Sequence, residues 1–281
     1  MPDRRTRTSA ALALAAVAAL GCAQLGIGGK DGGDDRRAES GIKGILARGE
    51  LRIGMSGEQP PLTMTTKSGE LVGLEVALGR VLAQVIGVKA RFVRQPFAGL
   101  LDAVVNGDID LAMSGIGITP ERNLRVAFVG PYLVSGKSLL SKSQEILGVT
   151  SPAELDRAGV RIAALAGSTS EDYVRRNLPK AELVTTPGLD EAVALVMSDR
   201  ADALLADLET CHFAALRHPE SGLKALARTF TVEPIGIAVA PDDAQLINLL
   251  ENYLKALERQ GALEKANRYW FENDDWLDAL R

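Results

Sequence analysis

Val160-Arg-Ile-Ala-Ala-Leu165 runs directly into Ala166-Gly-Ser-Thr-Ser-Glu-Asp-Tyr173. The first stretch is short and apolar, the signature of a buried strand. Gly167 then turns the chain, and Ser168 with Glu171 three residues on has the spacing of a capping box. A helix therefore starts at the carboxyl end of a strand. The same alternation continues downstream: a helix over Ser170–Asn177, a strand over Glu182–Thr185, a helix over Asp190–Ser198 and a strand over Ala203–Ala206.

An earlier series has the same rhythm. Leu51–Met55 reads as a strand, and apolar residues at 74, 78, 81, 82 and 85 give Leu71–Ile86 a helical face. Ala90–Val93 is a strand, Ala98–Asn106 a helix closed by Gly107, and Ile109–Ser114 a strand. Asp242–Phe271 is helical, broken at Gly261. Two series of alternating strands and helices predict two α/β lobes, each a parallel-dominated sheet flanked by helices. Open α/β sheets bind ligands beyond the carboxyl ends of their strands, so two facing lobes place a site in the cleft between them.

The 281 residues are 46% hydrophobic and 24% charged, an ordinary globular composition. With 32 basic residues against 36 acidic ones and 4% aromatics, the chain has neither the charge nor the stacking surface of a nucleic-acid binder. It has two cysteines and two histidines, Cys22, Cys211, His212 and His218, with no zinc-ligand spacing. No metal or cofactor is implied. No P-loop, dinucleotide fingerprint or Ser/His/Asp arrangement is present.

The N-terminus reads as an address. Arg4, Arg5 and Arg7 precede an apolar and small-residue run, Ala10–Gly21, too short to span a bilayer. This is the pattern of a signal peptide over 1–22. It ends Ala19-Leu20-Gly21-Cys22, a loose lipobox with Ala where Leu is commoner, which makes Cys22 a candidate for lipidation; ordinary cleavage near Gly21 is the alternative. Residues 23–40, rich in Gly and Asp, read as a flexible tether. The expected location is periplasmic or otherwise extracytoplasmic, with a lipid anchor in the membrane.

Three segments carry the chemistry. In Ser114-Gly-Ile-Gly-Ile-Thr-Pro-Glu-Arg122, Thr119 is an N-cap type and Pro120 fits the first helical position. Free amides there, with the planar fork of Arg122, form an anion site that Gly115 and Gly117 open to close approach. Ala166–Tyr173 offers a second helix N-terminus, with Thr169 in its first turn. Ala201-Asp-Ala-Leu-Leu-Ala-Asp207 ends an apolar strand on a carboxylate able to take an ammonium, or else to cap the next helix. Together they suit a zwitterion, an α-amino acid.

The ordered set Gly49-Glu-Leu-Arg-Ile-Gly54, Gly73–Leu78, Gly107-Asp-Ile-Asp110, Ile118-Thr-Pro-Glu-Arg122, Pro131–Gly136, Gly167–Tyr173, Arg200–Ala203 with Asp207, and Gly236-Ile-Ala-Val resembles the bacterial extracellular solute-binding proteins that deliver polar amino acids to ABC transporters. The resemblance spans about 41–271. It implies a type II periplasmic-binding fold with two hinge crossings, near Ser138–Leu140 and Pro234–Gly236. Lobe 1 is then 41–138 plus 237–281, and lobe 2 is 139–236. It also implies a monomer, an amino-acid ligand and a membrane permease as partner. Residue by residue, Arg122 resembles the carboxylate ligand and Asp207 the ammonium acceptor. Gly117 and Thr169 resemble backbone donors, Ser114 and Gly115 cleft-lining positions, and Phe97 an aromatic that packs on the ligand.

The chain departs from the family at Gln59, where an aromatic is usual, at Pro61-Leu62 in place of Pro-Phe, and at Gly117 in place of Ser or Thr. Gln59 and Ser56 suggest a polar or small ligand. Glu58, if turned into the cleft, favours a basic one. The same fold hosts cyclohexadienyl dehydratases, for which Glu209 is the nearest acid, although the resemblance places that acid at Thr210. A sensing role through a partner protein is the third reading.

Overall fold

The computed structural model describes residues 41–272 and Trp276. The leader 1–22 with Cys22, and the tether 23–40, lie outside the described residues. The chain opens with helix α1 (Gly41–Arg48) and strand β1 (Glu50–Met55), followed by a small antiparallel sheet of β2 (Glu58–Gln59), β3 (Thr63–Thr65) and β4 (Leu71–Val72). Helix α2 (Leu74–Ile86), β5 (Lys89–Arg94), α3 (Leu100–Val105) and β6 (Leu111–Ala112) follow. A four-residue helix, α4 (Pro120–Asn123), leads into β7 (Ala127–Ser135). Next come β8 (Lys137–Ser141), α5 (Gln144–Leu147), β9 (Arg161–Leu165), α6 (Thr169–Asn177), β10 (Glu182–Thr186), α7 (Leu189–Met197), β11 (Ala203–Asp207), α8 (Leu208–Arg217) and β12 (Lys224–Ala225). Strand β13 (Glu233–Val239) and helices α9 (Ala244–Arg259) and α10 (Ala262–Glu272) close the described chain.

Two five-stranded sheets result, in the orders β5-β1-β6-β13-β7 and β10-β9-β11-β8-β12. Each is mixed. The strand–helix series pair in parallel, β1 with β5 and β6, and β9 with β10 and β11. The strands nearest the crossings, β13 and β8, pair antiparallel with their neighbours. The chain changes sheet at Gly136, and returns between β12 and β13. These points stand beside the crossings expected at 138–140 and 234–236. A Cβ on Gly136 would lie 2.2 Å from the Thr231 carbonyl oxygen, so the two crossing segments meet backbone to backbone. Phe230 N–H donates to the Lys137 carbonyl across them at 2.8 Å.

Each lobe buries its own core. In lobe 1, α2 buries Leu74, Leu78, Val81 and Leu82, and α9 buries Leu246, Leu250, Tyr253, Leu254 and Leu257 at helical spacing. In lobe 2, β11 lies between two layers: Leu204 packs with Leu189, Val193 and Val196, and Leu205 with Leu139, Ile162 and Val174. Successive side chains of a strand point to opposite faces, and each such Leu contributes roughly 1.5–3 kcal/mol by leaving water.

The lobes share a device at the amino ends of their central strands. In β1, Arg52 N–H donates to Asp110 Oδ2 at 2.7 Å and its guanidinium reaches Asp110 Oδ1 at 2.8 Å. In β9, Arg161 N–H donates to Asp202 Oδ2 at 2.8 Å and its guanidinium reaches Asp202 Oδ1 at 2.7 Å. Each carboxylate thereby ties two neighbouring strands together at the end remote from the cleft.

Candidate functional site

The carboxyl ends of the two sheets face each other across a small cavity of about 30 Å³. Its lining includes Gln59, Phe97, Gly115 and Arg122 from lobe 1, and Thr169, Asp207 and Thr210 from lobe 2. That space is about one water's share of liquid, and a neighbouring cavity of about 360 Å³ shares Phe97 and Leu165 with it.

Arg122 is placed by α4. Thr119 caps that helix, its Oγ1 accepting from Arg122 N–H at 3.2 Å. The guanidinium donates to the Gly117 carbonyl at 2.8 Å and, across the cleft, to the Gly167 carbonyl at 2.9 Å. Its centre lies 5.9 Å from the Phe97 ring centroid, within range of a cation–π contact. Burial holds its pKa below the usual arginine value. Facing it, Ser168 caps α6, its Oγ accepting from Glu171 N–H at 3.2 Å, and Thr169 is the first helical residue. Arg122 and the first turn of α6 therefore supply a cation and free amides to one point in the cleft.

Gly115 and Gly167 both have positive φ, +62° and +74°, and each N–H donates to a glutamate. Gly115 gives its N–H to Glu75 Oε1 at 2.8 Å and Gly167 to Glu171 Oε2 at 2.7 Å. Glu75 is fully buried and also accepts from the Tyr132 hydroxyl, and burial pushes its pKa up to about 7. A Cβ on Gly115 would lie 2.3 Å from Gln59 Oε1, and one on Gly117 3.3 Å from Thr169 Cγ2. Both glycines thus permit the close fit of the cleft walls.

Of the residues expected from sequence, Arg122, Asp207, Thr169, Gly115, Phe97 and Gln59 line this cavity. Gly117 stands at its edge through its carbonyl to Arg122. Ser114 is fully buried, and its hydroxyl donates to Ser56 Oγ at 3.0 Å and accepts from Ser56 N–H at 2.9 Å. It braces the wall and does not appear among the cavity-lining residues. Asp207 stands at the N-cap of α8 without capping it. Its Oδ1 accepts from Lys137 Nζ at 2.6 Å, and Lys137 is 3% exposed. Lys137 and Thr210 line the cavity as well. The sequence reading missed Lys137, which heads the buried run Lys137–Ser141. Glu75 carried no signal, since it sits one residue off a helical apolar face.

Glu58 is partly exposed and lines a neighbouring cavity of the interlobe cleft with Phe97 and Gly188. Its Oε2 accepts from Leu189 N–H at 3.0 Å, at the first turn of α7 in the opposite lobe. Glu209 turns to Ser135, whose hydroxyl donates to it, and burial raises its pKa. No described helix is long and apolar enough to cross a membrane.

Comparison with known proteins agrees with this architecture. Relatives include cyclohexadienyl dehydratase of Pseudomonas aeruginosa, 27% identical over 83% of this chain and 87% of that protein. ABC transporter arginine-binding protein 1 of Escherichia coli K12 is 26% identical over 81% of this chain and 93% of that protein. Among solved structures, a protein assigned as the binding component of an ABC transporter from Wolinella succinogenes, complexed with lysine, is 34% identical. It superposes with a TM-score of 0.77 over 82% of this chain and 99% of that one. Such likeness carries the type II periplasmic-binding fold. The family model described as bacterial extracellular solute-binding proteins, family 3, matches residues 51–273, and this chain belongs to that family.

Proposed function

We propose that the protein is an extracytoplasmic receptor that captures an amino acid between its lobes and delivers it to an ABC-type permease. The observation that carries this reading is the meeting of Arg122 with the first turn of α6, with Asp207 on the same cavity wall. The guanidinium and amides suit a carboxylate, and Asp207 suits an ammonium. Opening exchanges the Arg122 contact with Gly167 for ligand contacts, and closure is a hinge motion about Gly136 and the 226–232 segment. Lobe 1 is taken as 41–138 with 237–281, and lobe 2 as 139–236. A leader over 1–22 would direct export, and lipidation at Cys22 with a tether over 23–40 would hold the receptor beside its permease.

The Pseudomonas aeruginosa relative keeps a dehydratase reading in view. That chemistry needs an acid placed for proton transfer to a leaving hydroxyl. Glu209 is engaged with Ser135, and the residue that reaches the cavity from this turn is Thr210. This favours binding without turnover.

A thermal-shift screen of the purified protein against the common amino acids, prephenate and arogenate tests the reading. Stabilisation by amino acids, with no product from prephenate or arogenate, supports it; turnover of either substrate overturns it. A ligand at 100 times its Kd adds about 2.7 kcal/mol, a visible rise in Tm. Arg122→Ala should weaken binding by roughly a hundredfold or more, since it leaves a buried carboxylate without its partner. Unchanged affinity in that variant removes the site assignment.

A further inference from the structure

The structure assigns Lys137 as a specificity-determining residue that turns this site against cationic amino acids and toward those with an uncharged, polar side chain. The inference rests on the amino-acid-receptor reading above and adds the ligand class to it.

Two independent observations carry it. First, Lys137 brings a positive charge into the cavity wall. Its Nζ sits 2.6 Å from Asp207 Oδ1 and 3.8 Å from Glu233 Oε2, and both partners are largely buried. Glu233 is held in place by Thr231, whose hydroxyl donates to its Oε1 at 2.9 Å. The group made by Asp207, Glu233 and Lys137 carries two negative charges and one positive. Its balance of −1 matches a single ammonium. Arg122 matches a single carboxylate. A zwitterion with an uncharged side chain therefore completes the charges of the site, whereas a second ammonium or a guanidinium adds a cation beside Lys137 and Arg122 in a poorly hydrated space.

Second, Glu58 stands outside the cavity that holds Arg122 and Asp207, in the neighbouring one, with one of its oxygens engaged. Glu58 accepts from Leu189 N–H at the start of α7, where the helix dipole also favours a negative charge. Among the described residues, Asp207 is the sole carboxylate that lines the cavity. The remaining polar side chains there include the Gln59 amide and the Thr210 hydroxyl, which are matched by neutral hydrogen-bonding groups.

Calorimetric titration of the whole protein with glutamine, serine, arginine and lysine tests the assignment. The expected result is a neutral amino acid bound at least about tenfold more tightly than arginine or lysine. Lys137→Met keeps the stem and removes the charge, and Lys137→Gln keeps a polar end. Either should shift the ratio of arginine to neutral affinity toward arginine by about tenfold or more, while Lys137→Arg preserves the wild-type ratio. The wild-type titration needs no variant to fold. Arginine or lysine bound as tightly as any neutral amino acid, or a ratio unmoved by both Lys137→Met and Lys137→Gln, overturns the role of Lys137 and leaves the receptor reading standing. Failure of wild type and variants to bind any amino acid overturns both.

Discussion

The two lobes are built alike at the amino ends of their central strands and unlike at the carboxyl ends. At the amino ends, Asp110 and Asp202 make the same two contacts to an arginine of the neighbouring strand. At the carboxyl ends, both lobes turn on a positive-φ glycine whose N–H goes to a glutamate, and both start a capped helix. There the likeness stops. Lobe 1 presents a charged side chain, Arg122, from a helix of four residues. Lobe 2 presents backbone amides from a helix of nine residues, together with the Lys137–Asp207 pair. The shared ends hold sheets together, and in the receptor proposed above the unlike ends would divide one ligand grip into a charged half and an amide half.

The stapling carboxylates give the largest expected difference. Asp110 is fully buried as a side chain and serves Arg48 and Arg52, while Asp202 is 31% exposed and serves Arg161. Removing a buried partner strands a charge, at about 3–5 kcal/mol. Removing a partly hydrated one costs roughly 1–2 kcal/mol, chiefly its backbone hydrogen bond. Asp110→Ala should therefore lower the urea midpoint far more than Asp202→Ala, at unchanged m-value. Equal losses would mean that burial does not set the strength of the two staples.

The glycine turns offer a sharper test through pH. Glu75 has a folded pKa of about 7 against 4.5 for the free side chain, and burial is the main cause. The folded protein keeps this proton in a range where the unfolded chain has released it. The stability it contributes is full below about pH 4.5 and falls as pH rises toward 7. The full loss is of order 3 kcal/mol. Glu75→Gln should flatten the slope of Tm between pH 5 and 8 and leave the protein relatively more stable at pH 8. An unchanged slope would show that Glu75 is ionised in the folded state.

Much of this was legible in the chain. Short apolar runs marked the central strands, which bury both faces, and a period-3.6 pattern marked the helix of the first series, which buries one. The capping residues Thr119 and Ser168 marked the helix starts that form the site. Less legible were the small sheet β2–β4 and the crossing strands β7, β8 and β13. These are short, or broken by Pro131 and Pro234, and their pairing partners are remote in sequence. The strand expected over Ile109–Ser114 pairs only at Leu111–Ala112, since the chain then bends into the cleft wall. Lys137 lay beyond local reading for a related reason. Its meaning comes from Asp207, 70 residues away, and no local pattern encodes that meeting.

The smallest effect separates the two helix caps. Ser168 stabilises nine residues and also donates to the Leu165 carbonyl at 2.6 Å. Thr119 stabilises four residues, but the amide it accepts from belongs to Arg122. Loss of an N-cap side chain costs about 1 kcal/mol. In Ser168→Ala that cost falls on the whole helix and should appear as a lower Tm, with the amides of α6 still presented once the protein is folded. In Thr119→Ala little of the core depends on α4, so the Tm should move less, while the loosened first turn lets the guanidinium wander from its aim. Ligand affinity should then fall several-fold in Thr119→Ala and less in Ser168→Ala. The reverse order, with affinity more sensitive to Ser168 than to Thr119, would shift the weight of the anion grip from the charged half of the cleft to the amide half.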